Sequence, residues 1–191
     1  GTVNVNANAA VKWTVENLSG AGTLKWASWS FHNSKSSQLV LTGDGSGFTG
    51  EIFLDRRFDT SNGSHQTYLV LASDDAAKNA TVRLKGNKPN GTASLAVNTA
   101  NANVGGLISD TGSDNKNATY AHLYAGAAPS AHNAGQQAST AANTLTITGA
   151  GTYTYAGTVG KSGESAHLNL AMTGSGSQTF SGVAHVGDVS V

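Results

Sequence analysis

Cysteine is absent from the chain. Disulfides, thiolate metal sites and thiol nucleophiles are excluded together by that absence, which assigns no compartment. Charge is also scarce: 12% of residues are charged, 11 basic and 11 acidic, for a formal net charge of zero. A nucleic-acid binder carries a basic stripe that displaces counterions, and none is present. No polybasic or amphipathic segment marks a membrane surface. No apolar run approaches the ~20 residues of a membrane helix, so no transmembrane segment is expected. No signal peptide is visible, and the chain opens at Gly1 without Met, so a mature product or an excised piece is expected. Only 2 prolines accompany 24 glycines, which excludes collagen and Pro-rich linkers. Helical periodicity is missing as well. The Ala-rich stretch from Ala125 to Ala142 is broken by Gly126, Pro129 and Gly135 and reads as a long loop.

What is present is abundant Gly, Ser, Thr, Asn and Ala, a composition suited to an extracellular β-protein. Val3, Val5, Ala7, Ala9, Val11, Trp13 and Val15 alternate with polar residues such as Asn4, Asn6, Asn8 and Lys12. A period of two places one set on a buried face and the other in water. A longer period follows. "LSGAGTLKWAS" (18–28), "LTGDGSGFTG" (41–50), "ITGAGTYTYAG" (147–157) and "MTGSGSQTFSG" (172–182) each carry G-x-G two residues after an apolar anchor. An aromatic stands eight residues beyond Leu18, Ile147 and Met172 (Trp26, Tyr155, Phe180) and seven beyond Leu41 (Phe48). With Leu71, Val97 and Leu123 the anchors are separated by 23, 30, 26, 26, 24 and 25 residues.

Repeats of 20–50 residues that cannot bury their own apolar face signal stacked units. Each unit holds short strands and no helix. The expectation is therefore all-β: one segment, residues 1–191, forming a β-solenoid of about seven coils. Equivalent strands stack in parallel, and Gly-x-Gly marks corners where φ > 0 is tolerated. At ~4.8 Å per coil the rod is roughly 34 Å long. The alternative is a β-sandwich of the lectin-like jelly-roll type.

"LTITGAGTYTYAGTVG" and "LAMTGSGSQTFSG" resemble the autotransporter-associated β-strand repeat, with its apolar pair, T/S-G-x-G, polar–aromatic alternation and closing S/T-G. "LTGDGSGFTGEIFL" and "VGGLISDTGS" (104–113) are similar to other phrases of such passengers. The clear matches cover about a quarter of the chain. The resemblance implies a right-handed parallel β-helix from a larger bacterial protein, secreted or displayed on the outer cell surface.

Catalytic signatures are weak. Gly45–Gly50 spells G-x-G-x-x-G but precedes the strand-like "EIFLDRRF", whereas a dinucleotide site needs a helix there. Asp110–Ser113 spells the aspartic-protease phrase, yet no second D-T-G supplies a partner carboxylate. Asp44 and Asp74 lie three residues beyond consecutive anchors and, with Asp75, form a candidate weak Ca²⁺ site. The histidines His32, His65, His122, His132, His167 and His185 are scattered without H-x-x-x-H spacing. No catalytic residue, metal ligand set or cofactor is assigned. "FLDRRFDTSNGSHQTY" (53–68) falls in the longest repeat interval, where an insertion emerges as a loop. Asp55, Arg56, Arg57 and Asp59 are candidate contacts there, with Arg donors facing a carboxylate or sugar. Trp29 is a candidate sugar-stacking residue, whereas Trp26 sits at a repeat position and is expected in the core. The expected role is a non-catalytic structural and adhesive segment whose loops meet surface glycans or host-cell proteins, with self-association. A glycan-binding module and a β-helix polysaccharide lyase or hydrolase are the alternatives.

Overall fold

The structure, a computed structural model, describes residues 1–7, 11–28, 36–56, 66–86, 92–110, 120–129 and 136–191. The alternating segments form strands that build three sheets. The first sheet has eight strands: β1 (Thr2–Ala7), β3 (Thr23–Ser28), β5 (Glu51–Arg56), β7 (Ala77–Lys85), β9 (Asn101–Ser109), β11 (Thr144–Ile147), β14 (Leu168–Met172) and β16 (Val186–Ser190). The second has six: β2 (Lys12–Glu16), β4 (Ser36–Thr42), β6 (Gln66–Leu71), β8 (Ala93–Val97), β10 (Ala121–Ala125) and β13 (Thr158–Val159). The third pairs β12 (Thr152–Tyr155) with β15 (Ser177–Phe180).

Every pairing between these strands is parallel. A jelly roll pairs its strands antiparallel, so the sandwich alternative is overturned and the chain is a β-solenoid. The coil count is slightly lower than expected. Five turns, from β1–β2 to β9–β10, give one strand to each of the first two sheets. Beyond them the chain changes its corner pattern.

The core runs along the axis as columns of stacked side chains. In the second sheet Trp13, Leu39, Leu69, Leu95, Leu123 and Val159 occupy successive partner positions. Val15, Leu41, Leu71, Val97 and Ala125 form the next column. From the first sheet, Val3, Leu24, Ile52, Val82 and Leu107 stack likewise. All but Val3, Trp13 and Val15, at the N-terminal end, are buried. Each such aliphatic side chain contributes about 1.5–3 kcal/mol relative to exposure.

These columns correct the anchor series. Leu41, Leu71 and Val97 do stack, but Leu18 and Leu123 are replaced in their column by Val15 and Ala125. Ile147 and Met172 stack on Val104, in the first sheet. The cause is a step at β9. β7 pairs with its C-terminal half after a register shift between Ala77 and Thr81, whereas β11 pairs with its N-terminal residues 101–104. In the N-terminal turns, therefore, the glycine phrase joins the second sheet to the first. In "ITGAGTYTYAG" it joins the first sheet to the third. That phrase is a corner and no hairpin: β11 pairs with β14, and β12 with β15.

Glycine serves these corners for two reasons. Gly20 and Gly22 take φ of 103° and 116°, as expected of a corner that other residues adopt with strain. Gly149 and Gly174 have no positive φ. There a Cβ would lie 2.0 Å from the Gly105 oxygen and 2.1 Å from the Gly149 oxygen, respectively, so backbone proximity demands glycine.

The middle of the second sheet is buried on both faces. Every residue of β6, β8 and β10 is buried. Its outer face carries a satellite cluster of Val40, Tyr68, Val70, Ala96 and Tyr124, against which Ala72 and Ala128 pack. Part of the Ala-rich segment covers this face. Gln38 Nε2 donates to the Pro129 carbonyl at 2.8 Å, and Gln136 Nε2 donates to Thr158 Oγ1 at 2.9 Å. No helix occurs among its described residues.

Candidate functional site

The two long edges of the rod differ. At one edge each strand of the second sheet turns into the first through a hydrogen-bonded corner. Gly20 N–H donates to the Gly47 carbonyl at 3.0 Å, and Gly45 N–H donates to the Asp75 carbonyl at 3.0 Å. At the other edge β1, β3, β5, β7 and β9 end, and β2, β4, β6, β8 and β10 begin. All five connections between them depart from this side. Trp29, Arg57 and Asp59 belong to those connections and lie outside the described residues.

Asp55 and Arg56, the last two residues of β5, stand at this edge, and both are buried. Lys25 Nζ reaches Asp55 Oδ2 at 2.8 Å, and Lys85 Nζ lies 3.9 Å from Oδ1. Asp55 therefore binds coil to coil, one cation coming from the strand on each side. Beside it, Phe53 is flanked by Lys25 Nζ at 4.8 Å and the Arg83 guanidinium at 4.7 Å from the ring centre. Arg83 also meets Asp110 at 3.0 Å and Glu51 at 3.8 Å. Such cation–π and ionic contacts knit successive strands and occupy the ring that a sugar would otherwise stack on.

Behind this edge lies a ladder of buried hydroxyls and amides. Trp26 Nε1 donates to Ser37 Oγ at 3.3 Å, and Ser37 Oγ donates to Thr67 Oγ1 at 3.5 Å. Gln66 Oε1 accepts from Tyr68 at 2.8 Å and from Thr92 at 2.9 Å. Trp26 is fully buried, in keeping with its repeat position.

The three carboxylates considered for Ca²⁺ do not converge. Asp44 Oδ1 accepts from Ser46 N–H at 2.9 Å; hydrogen bonds from the Ser46 side chain, then its backbone, hold the carboxyl below its usual range. Asp74 accepts from the Thr99 hydroxyl. Asp75 binds Asn103 Nδ2 at 2.8 Å and Lys78 Nζ at 3.2 Å. Among the described residues no three His, Asp or Glu side chains group as a metal site.

Two side chains that sequence reasoning passed over organise the outer face of the second sheet. His122 is fully buried: its Nε2 lies 3.1 Å from the Gly160 carbonyl, and its Nδ1 accepts Gln137 N–H at 3.2 Å. Those partners fix the neutral tautomer protonated on Nε2. Burial, with the nearby Lys161 charge, outweighs the Gly160 bond and pushes its pKa down to about 4. The Glu164 side chain is shielded from solvent; its Oε2 accepts Ser139 N–H at 2.7 Å and Lys161 N–H at 3.0 Å, and Oε1 lies 2.9 Å from His167 Nδ1. The available signal was the unbroken apolar character of "TYLVL" and "AHLYA", which marks strands covered on both faces. Comparison with protein-family models, curated proteins and solved structures gives no match.

Proposed function

We propose that the chain is a non-catalytic rod of a secreted or surface-displayed protein, whose role is to hold contact loops at fixed spacing along one edge. The supporting observation is the asymmetry of the edges: five successive connections depart from one side, and backbone hydrogen bonds close the other. Coils spaced ~4.8 Å apart make such an edge a dense array, and weak contacts repeated along an array gain avidity. The resemblance of the glycine phrases to autotransporter passenger repeats favours the same setting. Surface glycans or cell-surface proteins are the proposed contacts. The glycan-pocket alternative draws no support from Asp55, which is engaged by two lysines, or from Phe53, which is covered by cations.

The test is adhesion of beads coated with the full chain to a panel of epithelial cells. A second set carries a chain in which residues 57–65 and 111–119 are replaced by Gly-Ser linkers of equal length. Retention of the native chain, with loss on loop replacement at an unchanged thermal midpoint, supports the proposal. Equal retention of both chains, or none above albumin-coated beads, overturns it. Release of reducing ends from acidic polysaccharides would instead make the chain an enzyme.

A further inference from the structure

The 136–140 segment is held on the outer face of the second sheet by a series of polar contacts. Gln136 Nε2 donates to Thr158 Oγ1, Gln137 N–H to His122 Nδ1, and Ser139 N–H to Glu164 Oε2. Ser139 Oγ and the Thr140 amide meet the backbone of Ala125 at 3.1 and 2.9 Å. Of these partners, His122 presents a neutral nitrogen acceptor that a single proton converts into a donor. The Nδ1 lone pair accepts the Gln137 amide; a proton placed there would point one N–H at another. The opposite nitrogen is already committed to Gly160, so the ring cannot exchange roles by flipping.

Beyond the Gly160 carbonyl, nothing among the described residues compensates an imidazolium. Its column neighbours, Ser94 on β8 and Thr158 on β13, are neutral. Its ring stacks on Tyr124 at 5.4 Å, and Tyr124 in turn meets Tyr68 edge-on at 6.4 Å. From the turn after β13, Lys161 adds a like charge. In that same turn the Glu164 carboxylate is occupied by two backbone amides and His167. His132 lies outside the described residues.

We propose that His122 is an acid-operated clasp: its neutral ring holds the 136–140 segment on the second sheet, and its protonation releases that segment while the solenoid stays stacked. Release exposes the face carrying Tyr124, whose hydroxyl is buried with no hydrogen-bond partner among the described residues. The stacked columns on the opposite side of the sheet contain no histidine and are untouched.

Hydrogen exchange followed by NMR at pH 7 and pH 5, corrected for the intrinsic exchange rate, tests this. The Gln137, Ser139 and Thr140 amides are expected to lose protection on the order of tenfold or more at pH 5, the sense dictated by proton linkage. Leu84 and Leu107 in the first sheet are expected to remain protected, because the solenoid stays folded. His122→Gln supplies an uncharged acceptor and donor in the same places and is expected to abolish the pH dependence. Should that variant not fold, the His122 ring titration in the native chain decides: Gln137 protection must fall as pH drops toward the ring midpoint and level off below it. Protection unchanged at pH 5, protection abolished across the whole solenoid, an equal loss in His122→Gln, or Gln137 protection that is indifferent to the ring titration overturns the proposal.

Discussion

Individual residues in this rod are constrained by what stacks one coil away, and the constraint differs in kind from site to site. Gly174→Ala places a methyl against the Gly149 backbone oxygen, which cannot retreat without parting two coils. The expected cost is about 1–3 kcal/mol, read as a lower urea midpoint. Gly163→Ala meets no atom within 4 Å and carries only the strain of φ 74°, so it should cost about 1–2 kcal/mol. The tyrosines of the outer face separate a satisfied from an unsatisfied hydroxyl. Tyr68 donates to Gln66, whereas Tyr124 has no partner among the described residues, and burial pushes both pKa values up. Tyr68→Phe should destabilise by about 1 kcal/mol, while Tyr124→Phe should be neutral or stabilising; denaturation curves that shift both variants alike would contradict this. His122 sets the acid limit. Its folded pKa of about 4 lies below the unfolded value near 6.5, so the unfolded chain binds the proton more tightly. Stability is therefore full above ~6.5 and falls by roughly 3 kcal/mol as pH drops through ~4. Urea titrations at pH 7.5 and 4 should show that loss, and His122→Gln should reduce it.

At the scale of the strand, the step at β9 leaves an edge that the chain repairs with side chains. β11 covers only residues 101–104, so the C-terminal half of β9 would carry bare amides on that side. Gln178 on β15 mimics the missing strand: its Oε1 accepts Leu107 N–H at 2.9 Å, and its Nε2 donates to the Leu107 carbonyl at 3.1 Å. Ser109 Oγ likewise accepts Ala156 N–H at 2.7 Å, and Tyr153 lies over Gly106. Gln178→Ala removes both bonds of that bridge and should cost about 1–3 kcal/mol, with exchange at Leu107 accelerated before that at Leu84; unchanged Leu107 exchange would show that the bridge is not formed in solution. None of this was readable from order along the chain, because Gln178 and Leu107 are 71 residues apart. The strands themselves were readable. "TVNVNA" and "TYTY" alternate plainly, and "ITGAGTYTYAG" against "MTGSGSQTFSG" gives the pairing of β11 with β14 and of β12 with β15 directly, since both phrases repeat at one spacing. The middle anchors misled because an apolar residue is available at nearly every other position. Leu123 fits a 26-residue spacing from Val97 as well as Ala125 fits the true column. The candidate site was the least legible part. Asp55 and Arg56 look like loop charges in one dimension; the fold buries them, with Lys25 and Lys85 brought onto Asp55 from neighbouring strands.

Taken as a whole the molecule is a one-dimensional stack, and its stability should follow position along the axis. The period of the glycine phrases already implies this, because a unit of some 25 residues cannot bury its own apolar face. A middle coil has neighbours on both sides; Leu95 sits between Leu69 and Leu123 and is fully buried. Leu95→Ala should therefore cost about 2–5 kcal/mol, whereas Val189→Ala, at a position 65% exposed on the last strand, should stay within about 0.5 kcal/mol. The same geometry leaves the two ends of this stack open. Among the described residues β1 and β16 each pair on one side only, and their outer edges present backbone groups without a ladder partner. Beside β1 a groove of about 310 Å³ is lined by Val3, Leu18, Leu24 and Phe48, and beside β16 one of about 360 Å³ is lined by Leu170, Met172, Phe180 and Val186. Because all strands run parallel, the β16 end of one copy can extend its ladder onto the β1 end of the next, a heterologous contact that does not close on itself. Sedimentation of the described chain should accordingly show a weight-average mass that rises with concentration. Val3→Lys combined with Val189→Lys places a cation on each joining surface and should return the chain to a concentration-independent monomer without lowering its thermal midpoint. A native chain that sediments as a monomer throughout would mean that these edges are blunted in solution, and association in the double variant equal to the native chain would place the contact elsewhere on the rod.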